Sequence, residues 1–411
     1  MPADLPAAYA AALDEVLRGS YLMAPDALGA LAAAGAAHLG ASSAVLWLVD
    51  YEQRLLVPVL PGRQAPRERL SVDGSVAGRA FRGVDTVETE VEGGRRVWVP
   101  LLDGVERLGV LEVVVPNGGK PLAEQLHHML GQLAHLMAEL LISNSQYTDH
   151  YEWFRRQEPM SLPAEMQHEL LPPLTFGTDR FVVSGLLAPA YEVGGDAFDY
   201  ALNGNIAHLA LFDAVGHGLQ ASLLANLAVS CYRNTRRSGL DLAHSAVALD
   251  QVLAEMFGGE RFVTGLLAQL DIDTGELRLV NAGHPEPLLL RGTQVVKELR
   301  AEPATPLGLN GLLDEVTPGS FPVLVEQLQP GDRLLLATDG VDEARNAEGD
   351  FFGRERLAQF AAKEAASGAP TPELMRRLQQ AVLRHQIGHL QDDATMLLVE
   401  WRTGREEQNA L

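Results

Sequence analysis

The sequence predicts an α+β protein in three parts: a small α/β unit, a helical linker and a larger layered sandwich. Three observations carry this expectation. At 411 residues the chain exceeds what one hydrophobic core usually organises. Leu122, Leu126, Met129, Leu133, Leu136 and Leu140 are spaced 4, 3, 4, 3 and 4 apart, the pattern of a helical seam. Beyond residue 175, strand patterns are joined mainly by hairpin turns such as Asn203-Gly204 and Asp273-Thr274-Gly275, with helices inserted in pairs. That order favours a layered sandwich over a parallel doubly wound sheet.

Composition narrows the function. Apolar residues make up 47% and charged residues 21%, a globular balance. No stretch approaches the roughly 18 uninterrupted apolar residues of a membrane span. The opening MPADLPAAYAAALDEVLRG lacks a basic start and an apolar block, so a cytoplasmic location is expected. The single cysteine, Cys231, lies in the apolar run ASLLANLAVSCY and reads as core. With 54 acidic against 32 basic residues, the formal charge of −22 repels nucleic acid. The same charge opposes a phosphorylated substrate unless bound cations offset it where the phosphate docks.

The first part spans residues 1–118. DALGALAAAGAAHL (26–39) reads as an apolar helix and AVLWLVD (44–50) as a strand. RRVWVPLLD and ERLGVLEVVVP read as two strands around the turn at Asp103 and Gly104. The linker, residues 119–174, holds the heptad seam, which is expected to pair with the same helix of a second chain in a homodimer. It closes with SLPAEMQHELLPP (161–173), a short amphipathic helix stopped by Pro172 and Pro173. The third part covers residues 175–403 and leaves a tail at 404–411. Its strands are expected at 181–188, 205–214, 262–272, 276–283, 287–292, 332–340 and 394–401. Its helices are expected at 218–236, 241–257, 354–366 and 371–387.

Through SVAGRAFRGVDTVETEV (71–91), VWVPLLDG and RLGVLEVVV, the first part resembles a GAF domain over about a hundred residues. The resemblance implies a sensor. It has no cysteine to attach a bilin and no cyclic-nucleotide signature, so protein interaction or dimerisation is an equal reading.

Four acidic residues fall where a strand meets a loop: Asp196 in VGGDAFDY, Asp213 in ALFDAVGHG, Asp339 in LLATDGV and Asp392 in LQDDATMLL. Singly each is an ordinary turn residue. Converged, their repulsion would raise several pKa values, and a bound cation is the simplest relief. Oxygen ligands without a His or Cys cluster favour Mg²⁺ or Mn²⁺ over zinc. Two such ions, about 4 Å apart, activate a shared water and neutralise a phosphoryl group, which is phosphoester hydrolysis.

The ordered motifs EVGGDAFDY, LFDAVGHG, LVNAGHPEPLLL, ATDGVDEARN, FFGRERL and DDATMLLVE resemble the bacterial SpoIIE and RsbU branch of the PPM family, relatives of type 2C protein phosphatases. The resemblance implies an αββα sandwich that removes phosphate from phosphoserine or phosphothreonine without a covalent intermediate. By motif, Asp213 would bridge both metals, Asp339 and Asp392 would hold the first, and Asp196 would support the metal waters. Ala214 stands where the family has Gly or another small residue whose carbonyl reaches the second metal. Asp393 follows Asp392 directly, so at most one is expected to be a ligand, and Asp392 is chosen. His217 would either protonate the leaving serine oxygen or brace the loop. Asn281 and His284 mark a braced turn. Kinship further implies a STAS-domain anti-sigma-factor antagonist as the phosphorylated partner.

Other readings are weaker. DTGE (273–276) matches an aspartic-protease half-site but has the form of a hairpin turn. His385 and His389 have zinc spacing, yet HQIGH lacks the intervening Glu. The alternative from another class is a catalytically inactive PPM-fold scaffold or regulated binding module.

Overall fold

The computed structural model describes residues 4–62, 68–116, 120–188, 190–191, 194–309, 316–386 and 393–403. The chain divides into two units, Met1–Pro159 and Met160–Leu411.

Strand alternation organises the first unit. It contains α1 (Leu5–Ser20), α2 (Leu28–His38), β1 (Ser43–Val49), β2 (Leu55–Pro58), β3 (Leu70–Ser71) and α3 (Val76–Gly83). β4 (Val87–Val91), β5 (Gly94–Asp103), β6 (Glu106–Pro116), α4 (Glu124–Ser145) and α5 (Glu152–Arg155) follow. The strands form one antiparallel sheet in the order β3-β2-β1-β6-β5-β4. Leu46, Leu48, Val97, Val99, Leu111 and Val113 point to one face, where residues of α1, α2 and α4 cover them. Trp47, Val49, Trp98 and Val110 point to the other, against Ala77, Ala80 and Phe81 of α3. Asp4 caps α1 and Ser75 caps α3, each accepting a first-turn N–H.

The heptad seam corrects one expectation. Leu122, Leu126, Met129 and Leu133 are buried in this unit's own core, and Leu136 and Leu140 pack against it. The face assigned to a homodimer is therefore occupied within the chain. A 4, 3 spacing describes any helix with one covered stripe, and here the cover is a sheet and two helices.

The second unit begins with α6 (Leu162–Leu170), capped by Ser161. Next come β7 (Thr175–Gly177), β8 (Phe181–Ala188), β9 (Asp196–Asn203), β10 (Ile206–Ala214), α7 (Gly218–Arg237) and α8 (Leu242–Phe257). After them run β11 (Val263–Asp271), β12 (Glu276–Ala282), β13 (Leu288–Arg291), β14 (Gln294–Glu298), β15 (Leu324–Gln327) and β16 (Arg333–Ala337). α9 (Asp339–Asp342), α10 (Arg354–Ala366), α11 (Thr371–His385) and β17 (Ala394–Trp401) complete it.

Its strands make two antiparallel sheets, β15-β12-β11-β10-β9 and β14-β13-β16-β17-β8-β7. One face of each sheet is apolar towards the other: Phe198, Leu209, Leu211 and Leu266 meet Val183, Leu334, Leu336 and Leu397. The opposite faces are covered separately. Ala210, Phe212 and Leu267 lie under Leu224, Ala228 and Leu249 of α7 and α8. Leu335, Met396 and Leu398 lie under Leu357, Leu374 and Leu378 of α10 and α11. Sheets buried on both faces explain why these strands read as near-continuous apolar runs. The order of layers is helix, sheet, sheet, helix.

Local departures from expectation are few. Cys231 is half-buried at the margin of the α7 and α8 layer rather than in its core. The DTGE segment closes the β11–β12 hairpin, where Asp271 Oδ1 accepts the N–H groups of Asp273 and Thr274. His385 bonds Arg356 and the Asp350 carbonyl; His389 lies outside the described residues.

Candidate active site

At one end of the sandwich, the inward pattern of four strands changes from apolar to polar. Along β10 the residues facing the opposite sheet are Ala207, Leu209 and Leu211, and the next is Asp213. Along β9 they are Tyr200 and Phe198, then Asp196. Asp196 and Asp213 are direct cross-strand partners. In the facing sheet, Leu334 and Leu336 of β16 lead to Thr338, and Val399 and Leu397 of β17 lead back to Thr395 and Asp393.

Hydrogen bonds join the two sheets at this end. Thr338 Oγ1 donates to Asp196 Oδ2 at 2.7 Å and accepts the Thr395 N–H at 3.0 Å. Asp393 Oδ2 accepts the N–H groups of Gly194 and Gly195, both at 2.6 Å, and of Asp196 at 3.4 Å. Two glycines are required by close approach. A Cβ on Gly340 would lie 1.8 Å from the Asp393 carbonyl oxygen, and one on Gly195 would lie 2.4 Å from that of Ala214. Asp339, which opens α9 directly after Thr338, is exposed.

Asp196 is only 2% exposed. Burial, followed by the charges of Asp213 and Asp393, pushes its carboxyl well above the ordinary carboxylate value, with the Thr338 hydroxyl acting in the opposite direction. A buried acid beside two others is high in energy unless it keeps a proton or gains a positive neighbour.

The structure thus brings together Asp196 and Asp213 and sets Asp339 beside their Thr338 link. Asp392 lies outside the described residues. Among the described residues, no three His, Cys, Asp or Glu side chains could by themselves hold a metal ion. The donor chemistry does fit a hard divalent cation: neighbouring carboxylates of Asp196, Asp213 and Asp393, the Asp196 carboxyl raised by burial and by the other two, with no His or Cys among them. Ala214 is buried, its N–H bonded to the Gly195 carbonyl at 3.1 Å. His217 is exposed at the start of α7, and its ring has no hydrogen bond among the described residues. A loop-bracing role for it therefore has no bond to rest on.

Three supporting residues left no legible signal in the sequence. Gln167 of α6, fully buried, donates through Nε2 to the carbonyls of Gly194 and Asp196. Ser222 Oγ donates to the Gly194 carbonyl at 2.6 Å. Thr264, paired with Asp213 across β10 and β11, bonds His284 Nδ1 at 2.8 Å. Asn281 fixes the His284 backbone from both sides at 2.8 Å, the bracing expected of the NAGHP turn. Burial lowers the His284 pKa to about 3, so the ring is neutral.

The fold and the site define a mixed α/β sandwich with an acid-lined end. Residues 203–402 match the family model described as Stage II sporulation protein E (SpoIIE). Protein IcfG of Synechocystis sp. is 24% identical over 264 residues, covering 57% of this chain and 40% of its own length. The chain thus spans less than half of that relative. Phosphoserine phosphatase RsbU of Bacillus subtilis is 22% identical over 296 residues, 71% of this chain and 83% of its own. The structure of the SiaA-PP2C domain of Pseudomonas aeruginosa is 22% identical, covers 58% of this chain and 94% of its own, and superposes with a TM-score of 0.48.

Proposed function

We propose that the second unit is a metal-dependent protein serine/threonine phosphatase acting in bacterial signalling. The observation that carries this reading is the pairing of buried Asp196 with Asp213 under a Thr338 bridge, where the charges of Asp213 and Asp393 add to burial in raising the Asp196 carboxyl. Mg²⁺ or Mn²⁺, two ions held by Asp213, Asp339, Asp392 and the Ala214 carbonyl, would supply an activated water and offset charge at phosphorus. Asp196 orients water from the base of the site, held by Thr338. His217, exposed in the loop that follows Asp213, would in its protonated form supply the proton taken by the leaving seryl oxygen and become the neutral ring. Asp393 and Gln167 hold the backbone of residues 194–196 from opposite sides, Asp393 through N–H groups and Gln167 through carbonyls.

The substrate we assign is a phosphorylated STAS-domain anti-sigma-factor antagonist, supported by the resemblance to RsbU-type relatives. The first unit, read as GAF-like from residues 71–91, would regulate the second through α6, which carries Gln167. The test is hydrolysis of an aryl phosphate and of a phosphoserine peptide with Mn²⁺. Asp213→Asn and a chelator should each lower the rate about 100- to 1000-fold, by analogy with loss of a central electrostatic group. Equal rates in all three conditions would leave the inactive scaffold as the better reading.

A further inference from the structure

The two sheets of the second unit bring acids to the same end from opposite sides. Asp196 and Asp213 stand on β9 and β10, whereas Asp339 follows β16 of the facing sheet. To act on one cation, Asp213 and Asp339 need a fixed spacing between the sheets. On the β9 side Thr338 supplies one link, its hydroxyl donating to Asp196 at 2.7 Å. On the β11 side a different residue reaches across.

Thr264 continues the inward alternation of Leu266 and Ala268 on β11 and is the direct cross-strand partner of Asp213. Its Oγ1 bonds His284 Nδ1 at 2.8 Å. His284 is 5% exposed, and Asn281 clamps its backbone, so the ring has little freedom to turn away. The ring also lies close enough to the Ala337 backbone for that group to act on it as a hydrogen-bond acceptor does, and Nε2 has no other partner among the described residues. Ala337 ends β16, two residues before Asp339. A neutral imidazole carries one acceptor and one donor nitrogen, so a single ring can serve Thr264 on one sheet and Ala337 on the other. By strand order, Asp213 on β10 lies between this link and the Thr338–Asp196 bond.

We propose that His284 is a positioning residue, a strut between the sheets that sets the distance from Asp213 to Asp339 and so the affinity of the metal site. The inference rests on the phosphatase reading above, in which these two carboxylates hold metal. A histidine that only filled space would lower the unfolding temperature and leave metal affinity alone. The full-length protein, freed of metal, is therefore titrated with Mn²⁺ alone, and its thermal unfolding is followed without metal. His284→Phe keeps a ring and removes both nitrogens; Thr264→Val keeps the shape and removes the hydroxyl. Each should raise the Mn²⁺ dissociation constant about 10- to 100-fold, the range seen when groups that orient metal ligands are lost. The double variant should bind no more weakly than the worse single one, because both cut the same link. His284→Gln should recover part of the affinity, since its amide offers a donor and an acceptor. Affinity within twofold of wild type in both single variants would overturn the proposal, and so would fully additive losses. If His284→Phe does not fold, Thr264→Val decides alone. Should the wild type bind no Mn²⁺, the metal-dependent reading falls, and hydrogen exchange decides whether His284 still holds α9. Its reporters are the Val341 and Glu343 amides, which donate to the Thr338 and Asp339 carbonyls. Faster exchange there in His284→Phe keeps the strut; equal exchange removes it.

Discussion

Asp196 and Asp199 lie three residues apart on β9 and are both buried, at 2% and 1% exposure, yet their surroundings are opposite. Asp199 receives the Arg236 guanidinium at 2.6 Å and that of Arg233 at 2.7 Å, so its charge is balanced on the helix-covered side of the sheet. Asp196 faces the other sheet and meets Asp213 and Asp393, with a hydroxyl as its side-chain donor. Burial alone therefore does not mark a site. What separates the two is the neighbour: an acid set between arginines holds layers together, whereas an acid set beside other acids has its pKa raised and favours a cation nearby.

Substitutions can break each side of this contrast. The largest effect is expected for Asp199→Asn, which strands Arg236 and Arg233 without their anion and should cost about 3–5 kcal/mol in chemical denaturation. A loss under 1 kcal/mol would show that the pair is not a structural tie. Thr338→Val keeps the shape but removes the donor to Asp196 and the acceptor for Thr395 N–H. It should cost about 1–3 kcal/mol by the same assay.

His284 provides a pH-dependent probe. Its folded pKa of about 3 lies below the ordinary value of 6.5, so below pH 6.5 the unfolded chain takes up a proton that the folded protein refuses. This residue's stabilisation is full above pH 6.5 and declines as pH falls towards 3, by about 1.4 kcal/mol per unit. Denaturation of wild type and His284→Gln at pH 7.5 and 5.5 should show a steeper loss in wild type; parallel losses would contradict a neutral buried ring. The smallest effect is expected for Asp213→Asn under chelation. Removing a like charge beside Asp196 should leave stability unchanged or raise it by up to ~1 kcal/mol, the opposite sign from Asp199→Asn.

Much of the second unit was legible in advance. The helices expected at 218–236, 241–257 and 354–366 are observed at Gly218–Arg237, Leu242–Phe257 and Arg354–Ala366. The strand expected at 181–188 is Phe181–Ala188. These segments carry their own evidence, because periodicity and turn residues act over neighbouring positions. β9 was harder to read: its polar first residue and mixed apolar and charged run gave no alternation to follow, and it forms by pairing with β10. β14 and β15 are short edge strands with half-exposed side chains, so little in their composition distinguishes them from loop.

The sequence by itself determined the helices, most strands, the acid-bearing turns and the excess of negative charge, since each depends on residue type and local spacing. Only tertiary structure decided that the heptad face is covered within its own unit and that Asp196 meets Asp213 while Asp199 meets two arginines. It also decided that Gln167 and Asp393 converge on the backbone of residues 194–196 while Thr338 holds the Asp196 side chain. The reason is physical: which charges compensate one another depends on distances between chain segments far apart in sequence, and those distances are fixed only when the two sheets pack.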